Sequence, residues 1–380
     1  MTTYHRDPFD RPLKKLELTV RRLFNRLFLA DRTPTVVTST RDAIAIPDHP
    51  SFVFLRQDRI GDVLITSPII RAVREAYPDA RIDVVLSRNN VMVANTLEPF
   101  IDGSYIYQRS TTSLLSIIRA LRKQRYDVIV DLLDNASSTS SLLVSMSNAR
   151  FALGVDKENR GVYTHVVPLL DKATVHISER IRSLVTALGI EPASVDMRPM
   201  YPISEDDAAR AKSLLFPEGR PTHPVGVVFS GSSVLRTYPE EKVIAVLDRI
   251  KPLYPSAAFY VFCAPHHREQ AARIAAAVGA QAVPTTSSFH AYAAALHEME
   301  ALISPDTSAV HLAAAWNLPS CVLFNQHDPN LYPWYPYQTH CEAVINHGSN
   351  LADIAVDDVV RAIEQLFAYC TIPKEHHGLS

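Results

Sequence analysis

The segment Arg56-Gln57-Asp58-Arg59-Ile60-Gly61-Asp62 puts two carboxylates and two guanidiniums in one short turn. A carboxylate in such a turn can take a proton from a reacting hydroxyl, and Gly61 allows a close backbone approach or a positive φ. Asp62 also stands where a helix should begin, so N-capping alone would account for it. A second cluster, residues 304–315, reads SPDTSAVHLAAA and turns from a strand end into a helix capped by Asp306 or Thr307. Free N–H groups near Ser308 to Val310, with the helix dipole behind them, suit a phosphate or diphosphate. His311 lies one turn beyond Thr307 on the same face. A third cluster, SGSSVLR over residues 230–236, joins small residues to Arg236. Small side chains let amides approach phosphate oxygens, and a guanidinium adds a bidentate contact. Taken alone, that loop reads equally as a plain loop with a solvated Arg.

These clusters need strand ends and helix starts to hold them. Short β-rich runs at 52–56, 82–86 and 126–132 alternate with helical patterns at 62–76 and 113–123, the signature of βα units feeding a parallel sheet. A helix over 177–188 stops at Gly189. The alternation restarts with strands at 225–229, 258–262, 301–304 and 321–324, and with helices from Pro239, over 267–278 and over 308–316. Ligands of such sheets bind at the carboxyl ends of the strands, so the loops after Arg56, Phe229, Phe262 and Ser304 should form a cleft. Neither GxGxxG nor GxxxxGK[ST] occurs. His266 and His267 are adjacent and lack metal-ligand spacing. The aromatic run 328–337, with Tyr332, Trp334, Tyr335 and Tyr337, suits base or sugar stacking but reads more simply as a packed loop.

A chain of 380 residues is long enough for about two domains. The Pro-rich segment 191–202 is the expected linker, giving an N-terminal domain over 51–200 and a C-terminal one over 201–380 with a terminal helix. Lys plus Arg number 38 against 40 Asp plus Glu, a net −2, which excludes a chain-wide grip on nucleic acid. The four cysteines, at 263, 321, 341 and 370, show no zinc spacing and read as reduced packing residues. No uncharged apolar stretch approaches the roughly 18 residues of a membrane span, and residues 1–10 lack a signal pattern, so a cytoplasmic setting is expected.

The first 50 residues read as a basic amphipathic arm followed by a linker. Leu13, Leu16, Val20, Leu23, Phe24, Leu27 and Phe28 recur at helical spacing, and residues 11–32 carry a surplus of Lys and Arg over acids. Such a helix fits an anionic inner-membrane surface or the protein's own core equally well. Residues 33–50, rich in Thr, Ser and Pro, read as linker.

Together the three clusters resemble glycosyltransferase family 9, the ADP-heptose:lipopolysaccharide heptosyltransferases. The resemblance lies in RQDRIGDVLITSPIIRAVREAYPDARID, GSSVLRTYPEEKV and ISPDTSAVHLAAAWNLPSCVLF, in order along most of the chain. It implies the GT-B architecture: an α/β protein of two Rossmann-like domains whose parallel sheets face each other across a cleft, here preceded by the amphipathic helix. It implies inverting transfer of a sugar, heptose from ADP-heptose, to a lipopolysaccharide-core or related glycolipid acceptor, with Asp62 as general base. Arg236, Ser232, Ser233, Asp306, Thr307, Ser308 and His311 are then expected at the donor, and Arg56, Arg59 and Gly61 at the acceptor. Arg236 stands where the family has Lys, and Ser308 where it has Gly. No cofactor and no metal are expected if Arg236 and the helix terminus hold the diphosphate. A nucleotide-sugar epimerase and a non-catalytic nucleotide-sugar-binding scaffold are the competing readings.

Overall fold

The computed structural model describes residues 31–375 apart from Ser287, His327 and Pro329. The helix expected over 11–32 therefore lies outside the described residues, save Asp31 and Arg32.

The N-terminal half contributes strands β1 (Thr35–Val36), β2 (Ser51–Leu55), β3 (Arg81–Ser87), β4 (Gly103–Tyr107), β5 (Val128–Asp131), β6 (Phe151–Val155) and β7 (His165–Val167). Its helices are α1 (Ile60–Ala76), α2 (Thr111–Gln124), α3 (Ser138–Met146) and α4 (Ile177–Arg182). The strands form one sheet in the order β1-β7-β6-β5-β2-β3-β4, parallel throughout. The C-terminal half adds helices α5 (Glu205–Leu215), α6 (Glu240–Ile250), α7 (Arg268–Val278), α8 (Phe289–His297), α9 (Ser308–Trp316) and α10 (Val356–Tyr369). Its strands are β8 (His223–Val228), β9 (Ala257–Phe262), β10 (Gln281–Ala282), β11 (Ala301–Pro305), β12 (Ser320–Asn325) and β13 (Cys341–Asn346). They form a second parallel sheet in the order β10-β9-β8-β11-β12-β13.

Central strands such as β2 and β5 bury nearly every residue, because helices cover both sheet faces and leave no side for water. On the outer face of the first sheet, Val53, Leu55 and Ile129 pack on Ile117, Ile118 and Leu121 of α2. On the outer face of the second, Val225, Phe259 and Ile303 meet Val243 and Leu247 of α6 and Ile363 and Phe367 of α10. The inner faces share one apolar core, in which Ile65 and Ile69 of α1 join Ala309 and Leu312 of α9 and Leu296 of α8. Connections reverse direction beside β2 in the first sheet and beside β8 in the second. Two clefts therefore open at the carboxyl ends of β2/β5 and β8/β11, where such sheets bind ligands.

Two expected linkers differ from the sequence reading. Residues 33–50 pair as edge strand β1 with β7, and Val37 and Ile44 are buried in the shared core; polar composition concealed two apolar anchors. Residues 191–202 hold no strand and one 3₁₀ turn, Pro192–Ser194. They nevertheless bury Val195, Met197 and Tyr201, so this crossing is packed down rather than free.

Candidate active site

Helix α1 presents the first cluster. Arg59 is its N-cap residue, and Asp62, at the third helical position, accepts the Arg59 N–H on Oδ2 at 3.0 Å, the acidic half of a capping box. Pro68 interrupts the helix and cannot bond the Leu64 carbonyl, as a residue there otherwise would. Ser67 Oγ donates to that carbonyl at 2.8 Å in its place. The α1 start is fixed from below by Arg56, only 2 % exposed. Its Nε donates to the Asp62 carbonyl at 2.9 Å, its Nη2 to Asp62 Oδ1 at 3.1 Å and its Nη1 to the Leu132 carbonyl, just past β5, at 3.0 Å. Burial works against charge on Arg56, but Asp58, Asp62, Asp134 and Asp131 together raise its pKa. Arg56, expected at the acceptor, lies buried beneath the turn with its bonds aimed at Asp62.

Behind this turn a polar layer anchors the strand ends. Lys157 Nζ lies 3.0 Å from Asp131 Oδ2, and Tyr163 OH donates to the same oxygen at 2.6 Å. Arg180 grips Asp134 Oδ2 through Nε at 3.2 Å and Nη2 at 2.8 Å. Buried charges that are paired in this way are costly to break, which makes the floor of the cleft rigid.

On the opposite side, Arg236 Nη1 lies 3.4 Å from Asp306 Oδ2. The loop bearing Arg236 closes on itself. The Arg236 N–H bonds the Ser233 carbonyl at 3.0 Å, and a Cβ on Gly231 would fall 2.4 Å from the Arg236 carbonyl oxygen. Only Gly fits there, as close backbone approach requires. Ser232 and Ser233 are exposed on this loop. Arg236 and Asp306 line a small depression with Leu323, Asn325 and Leu351.

Thr307 caps α9, its Oγ1 accepting the Ala309 N–H at 3.3 Å, while the Val310 N–H bonds the Thr307 carbonyl at 3.1 Å. Two of the amides expected to be free are therefore taken by the cap. Among the described residues no partner takes the N–H of Ser308, the first helical residue.

The two sides touch. His311 of α9 is 5 % exposed and packs against Gly61 of α1, so closely that a Cβ on Gly61 would lie 2.5 Å from His311 Cδ2. Gly61 serves this close approach and has no positive φ. Burial, with His176 and Arg56 nearby, pushes His311 down to about 3; its imidazole is neutral at pH 7. His311, expected at the donor, and Gly61, expected at the acceptor, meet each other where the two halves touch. Asp306 is raised above its ordinary value by burial, opposed by Arg236 and Arg59 and reinforced by Asp62. Arg59 and Asp62 thus act on a carboxylate of the other half.

A second bridge lies beside the first. The Tyr332 N–H donates to the Lys172 carbonyl at 2.7 Å, His176 Nε2 lies 3.0 Å from the Tyr335 carbonyl, and Tyr337 OH bonds Glu179 Oε1. The aromatic run is the packed loop, not an open stacking platform. Burial pushes His176 down to about 4. No spacing in the sequence pointed to His176; Asp58, one of the two carboxylates of the first cluster but given no role there, is lifted by burial to about 6 against the pull of Arg56. Among the described residues no group of three or more His, Cys, Asp or Glu is arranged to hold a metal ion, and no helix is long and apolar enough to cross a membrane.

Known proteins share sequence and fold with this chain. The lipopolysaccharide heptosyltransferase 3 of Escherichia coli is 26% identical over 293 residues, 72% of this chain and 83% of that one. Its counterpart in strain K12 is 24% identical over 339 residues, 80% and 95% of the two chains. Among solved structures, a glycosyl transferase family 9 protein of Veillonella parvula superposes with a TM-score of 0.70 at 19% identity, covering 86% of this chain and 99% of its own. E. coli heptosyltransferase WaaC with ADP gives a TM-score of 0.65 at 19% identity, with coverage of 84% and 98%. These folds are GT-B, and so is this one. The model of glycosyltransferase family 9 (heptosyltransferase) matches residues 114–362, a range that includes Arg236 and the 306–311 segment and begins beyond Asp62. With more than half of its length matched, the chain belongs to glycosyltransferase family 9, the heptosyltransferase family.

Proposed function

We propose that the protein transfers heptose from ADP-heptose to a hydroxyl of a lipopolysaccharide-core acceptor, with inversion at the anomeric carbon. The observation that carries this reading is the meeting of a rigidly aimed carboxylate, Asp62, with the Arg236–Asp306 pair, each at the switch point of its own sheet. The acceptor oxygen attacks the anomeric carbon while Asp62 takes its proton. The bond from that carbon to the diphosphate breaks, and its electron pair leaves with ADP. Arg236 and the Ser308 amide stand where that negative charge develops, an arrangement that typically contributes more than the base. Thr307 shapes the α9 turn, Ser232 and Ser233 border the phosphates, and Arg59 bridges the two sides beside Asp306.

The donor assignment draws on solved relatives, among them WaaC with ADP and with ADP-2-deoxy-2-fluoro heptose. The family match, together with a base-bearing turn aimed across the cleft, favours transfer over an epimerase or a silent scaffold. The basic amphipathic segment 11–32 would bring the enzyme to the cytoplasmic face of the inner membrane, where a glycolipid acceptor is presented. Its test is salt-sensitive flotation with anionic liposomes, lost when residues 1–32 are deleted.

The reading is checked by incubating the protein with a panel of nucleotide sugars that includes ADP-heptose, with de-acylated lipopolysaccharide core as acceptor, and assigning the anomeric configuration of the product by NMR. ADP-heptose should be the preferred donor and the configuration should invert. Retention, or preference for another donor, overturns the corresponding part.

A further inference from the structure

One guanidinium holds two carboxylates apart at the acceptor side. Arg56 Nη2 sits 3.1 Å from Asp62 Oδ1, and its Nη1 sits 3.3 Å from Asp58 Oδ2. Their circumstances differ. Asp62 has both oxygens engaged, Oδ1 by Arg56 and Oδ2 by the Arg59 amide, and its side chain is 8% exposed. Asp58 is 31% exposed, yet its Oδ1 is screened from water and has no hydrogen-bond partner among the described residues. The neighbouring Gln57 repeats the pattern: Nε2 donates to Ser140 Oγ at 2.7 Å, and Oε1 is unpartnered. A third such atom, Asn159 Oδ1, belongs to a side chain whose Nδ2 donates to Ser141 at 2.8 Å. Gln57 and Asn159 thus border the first turn of α3, Asp58 lies next to Gln57 in the chain and against Arg56, and all three unpartnered atoms are acceptors.

Buried polar groups left without partners are rare in folded proteins and mark places where something else completes them. Unpartnered acceptors on two consecutive residues, Gln57 and Asp58, call for donors beside Asp62. A sugar hydroxyl supplies an O–H, whereas a phosphate near neutral pH offers mainly oxygens and meets the charges of Asp58 and Asp62. We infer that Asp58, with Gln57 beside it, binds hydroxyls of the acceptor sugar next to the base, so that the acceptor presents an uncharged hydroxyl-bearing ring to this turn and not a phosphate; the inference rests on the transferase reading above. Asp58 holds the ring while Asp62 takes the proton, and Arg56 fixes the spacing between the two. Binding a neutral ring through fixed acceptors also gives selectivity, because an analogue lacking the hydroxyl leaves those acceptors unpaired.

The test reads binding and not turnover. Calorimetric titration of de-acylated lipopolysaccharide core oligosaccharide into wild type, Asp58→Ala and Asp58→Asn, each saturated with ADP, gives acceptor affinity directly. Asp58→Ala should bind the oligosaccharide about tenfold or more weakly, with ADP affinity unchanged, and Asp58→Asn, which keeps an acceptor oxygen, should recover part of the loss. Equal oligosaccharide affinity in Asp58→Ala and wild type overturns the inference, as does a parallel loss of ADP binding, which would mark general disorder of the cleft. Failure of wild type to bind the oligosaccharide overturns it too. A wild type that binds the oligosaccharide but transfers nothing from ADP-heptose sinks the proposed function, while the comparison of variants still decides the role of Asp58.

Discussion

Arg56 is the residue on which the geometry of the site turns, because one buried guanidinium satisfies the Asp62 carbonyl, the Asp62 carboxylate and the Leu132 carbonyl together. Removing it leaves Asp62 and Asp58 without their counter-charge. Breaking a buried pair from one side costs about 3–5 kcal/mol, so Arg56→Met should lose about that much stability in urea unfolding. The double variant Arg56→Met/Asp62→Asn should recover part of the loss, and a single variant within about 1 kcal/mol of wild type would show that the pair is not what holds the turn. Asp58 carries the opposite sign. Its carboxyl is raised to about 6 by burial, so the folded state binds its proton more tightly than the unfolded one, and stability is lost as pH rises through about 4 to 6. Asp58→Asn should therefore stabilise the fold at pH 7 by roughly 1 kcal/mol, with the gain fading below about pH 4. A destabilised variant at pH 7 would contradict the cost assigned to the ionised side chain. Asp62 and Arg236 could be picked out from the chain by charge beside a turn. The burial of Arg56 could not, since its partner at Leu132 lies far along the chain and an Arg at a strand end reads as exposed.

At the scale of elements, α1 and α9 meet through Gly61 and His311, and the contact depends on the missing Cβ. In an isolated helix Ala is favoured over Gly by about 1 kcal/mol. Here the added methyl would enter a buried ring, so Gly61→Ala should instead destabilise the protein by about 1–3 kcal/mol. Pairing it with His311→Ala should make the two changes strongly non-additive in thermal unfolding; simple additivity would mean that the helices do not meet there. The long apolar strands, with the helices α1, α6, α7 and α9 that follow β2, β8, β9 and β11, were legible because burial on both faces writes a continuous hydrophobic run. Strands β1, β4, β6, β7, β10 and β13 were not read. β1 spans two residues whose side chains are exposed, and β6 and β7 are short and paired across loops, so their identity comes from neighbours and not from local pattern. The N-cap expected at Asp62 is Arg59, and Asp62 at the third helical position accepts the Arg59 N–H, a bond that orients the carboxylate proposed as the base.

Across the whole molecule, two neutral imidazoles stand where the halves join, His311 against α1 and His176 against the aromatic loop. Both are pushed below the ordinary histidine value, to about 3 and about 4, chiefly by burial. The unfolded chain then takes up protons that the folded one refuses. These two rings by themselves make stability full above about pH 6.5 and lower it toward pH 4, with a limiting slope of about 2.7 kcal/mol per pH unit if both contribute, while Asp58 works the other way between about pH 4 and 6. Urea midpoints at pH 7, 6 and 5, compared between wild type and His176→Phe, isolate one ring: the variant should lose less stability as pH falls, and identical profiles would contradict the burial of His176. The parallel α/β plan and the cleft at the strand ends were visible in the sequence. The shared core between the halves was not, because nothing in one helix's apolar stripe says which sheet will cover it.

The most direct test of the account is a comparison of wild type with Asp62→Asn under saturating ADP-heptose and de-acylated lipopolysaccharide core. If Asp62 is the base, kcat should fall by about 10²-fold or more, while ADP-heptose affinity stays close to wild type in a variant that remains folded although its pair with Arg56 is weakened. Turnover preserved in Asp62→Asn, with donor binding intact, would contradict the role given to Asp62.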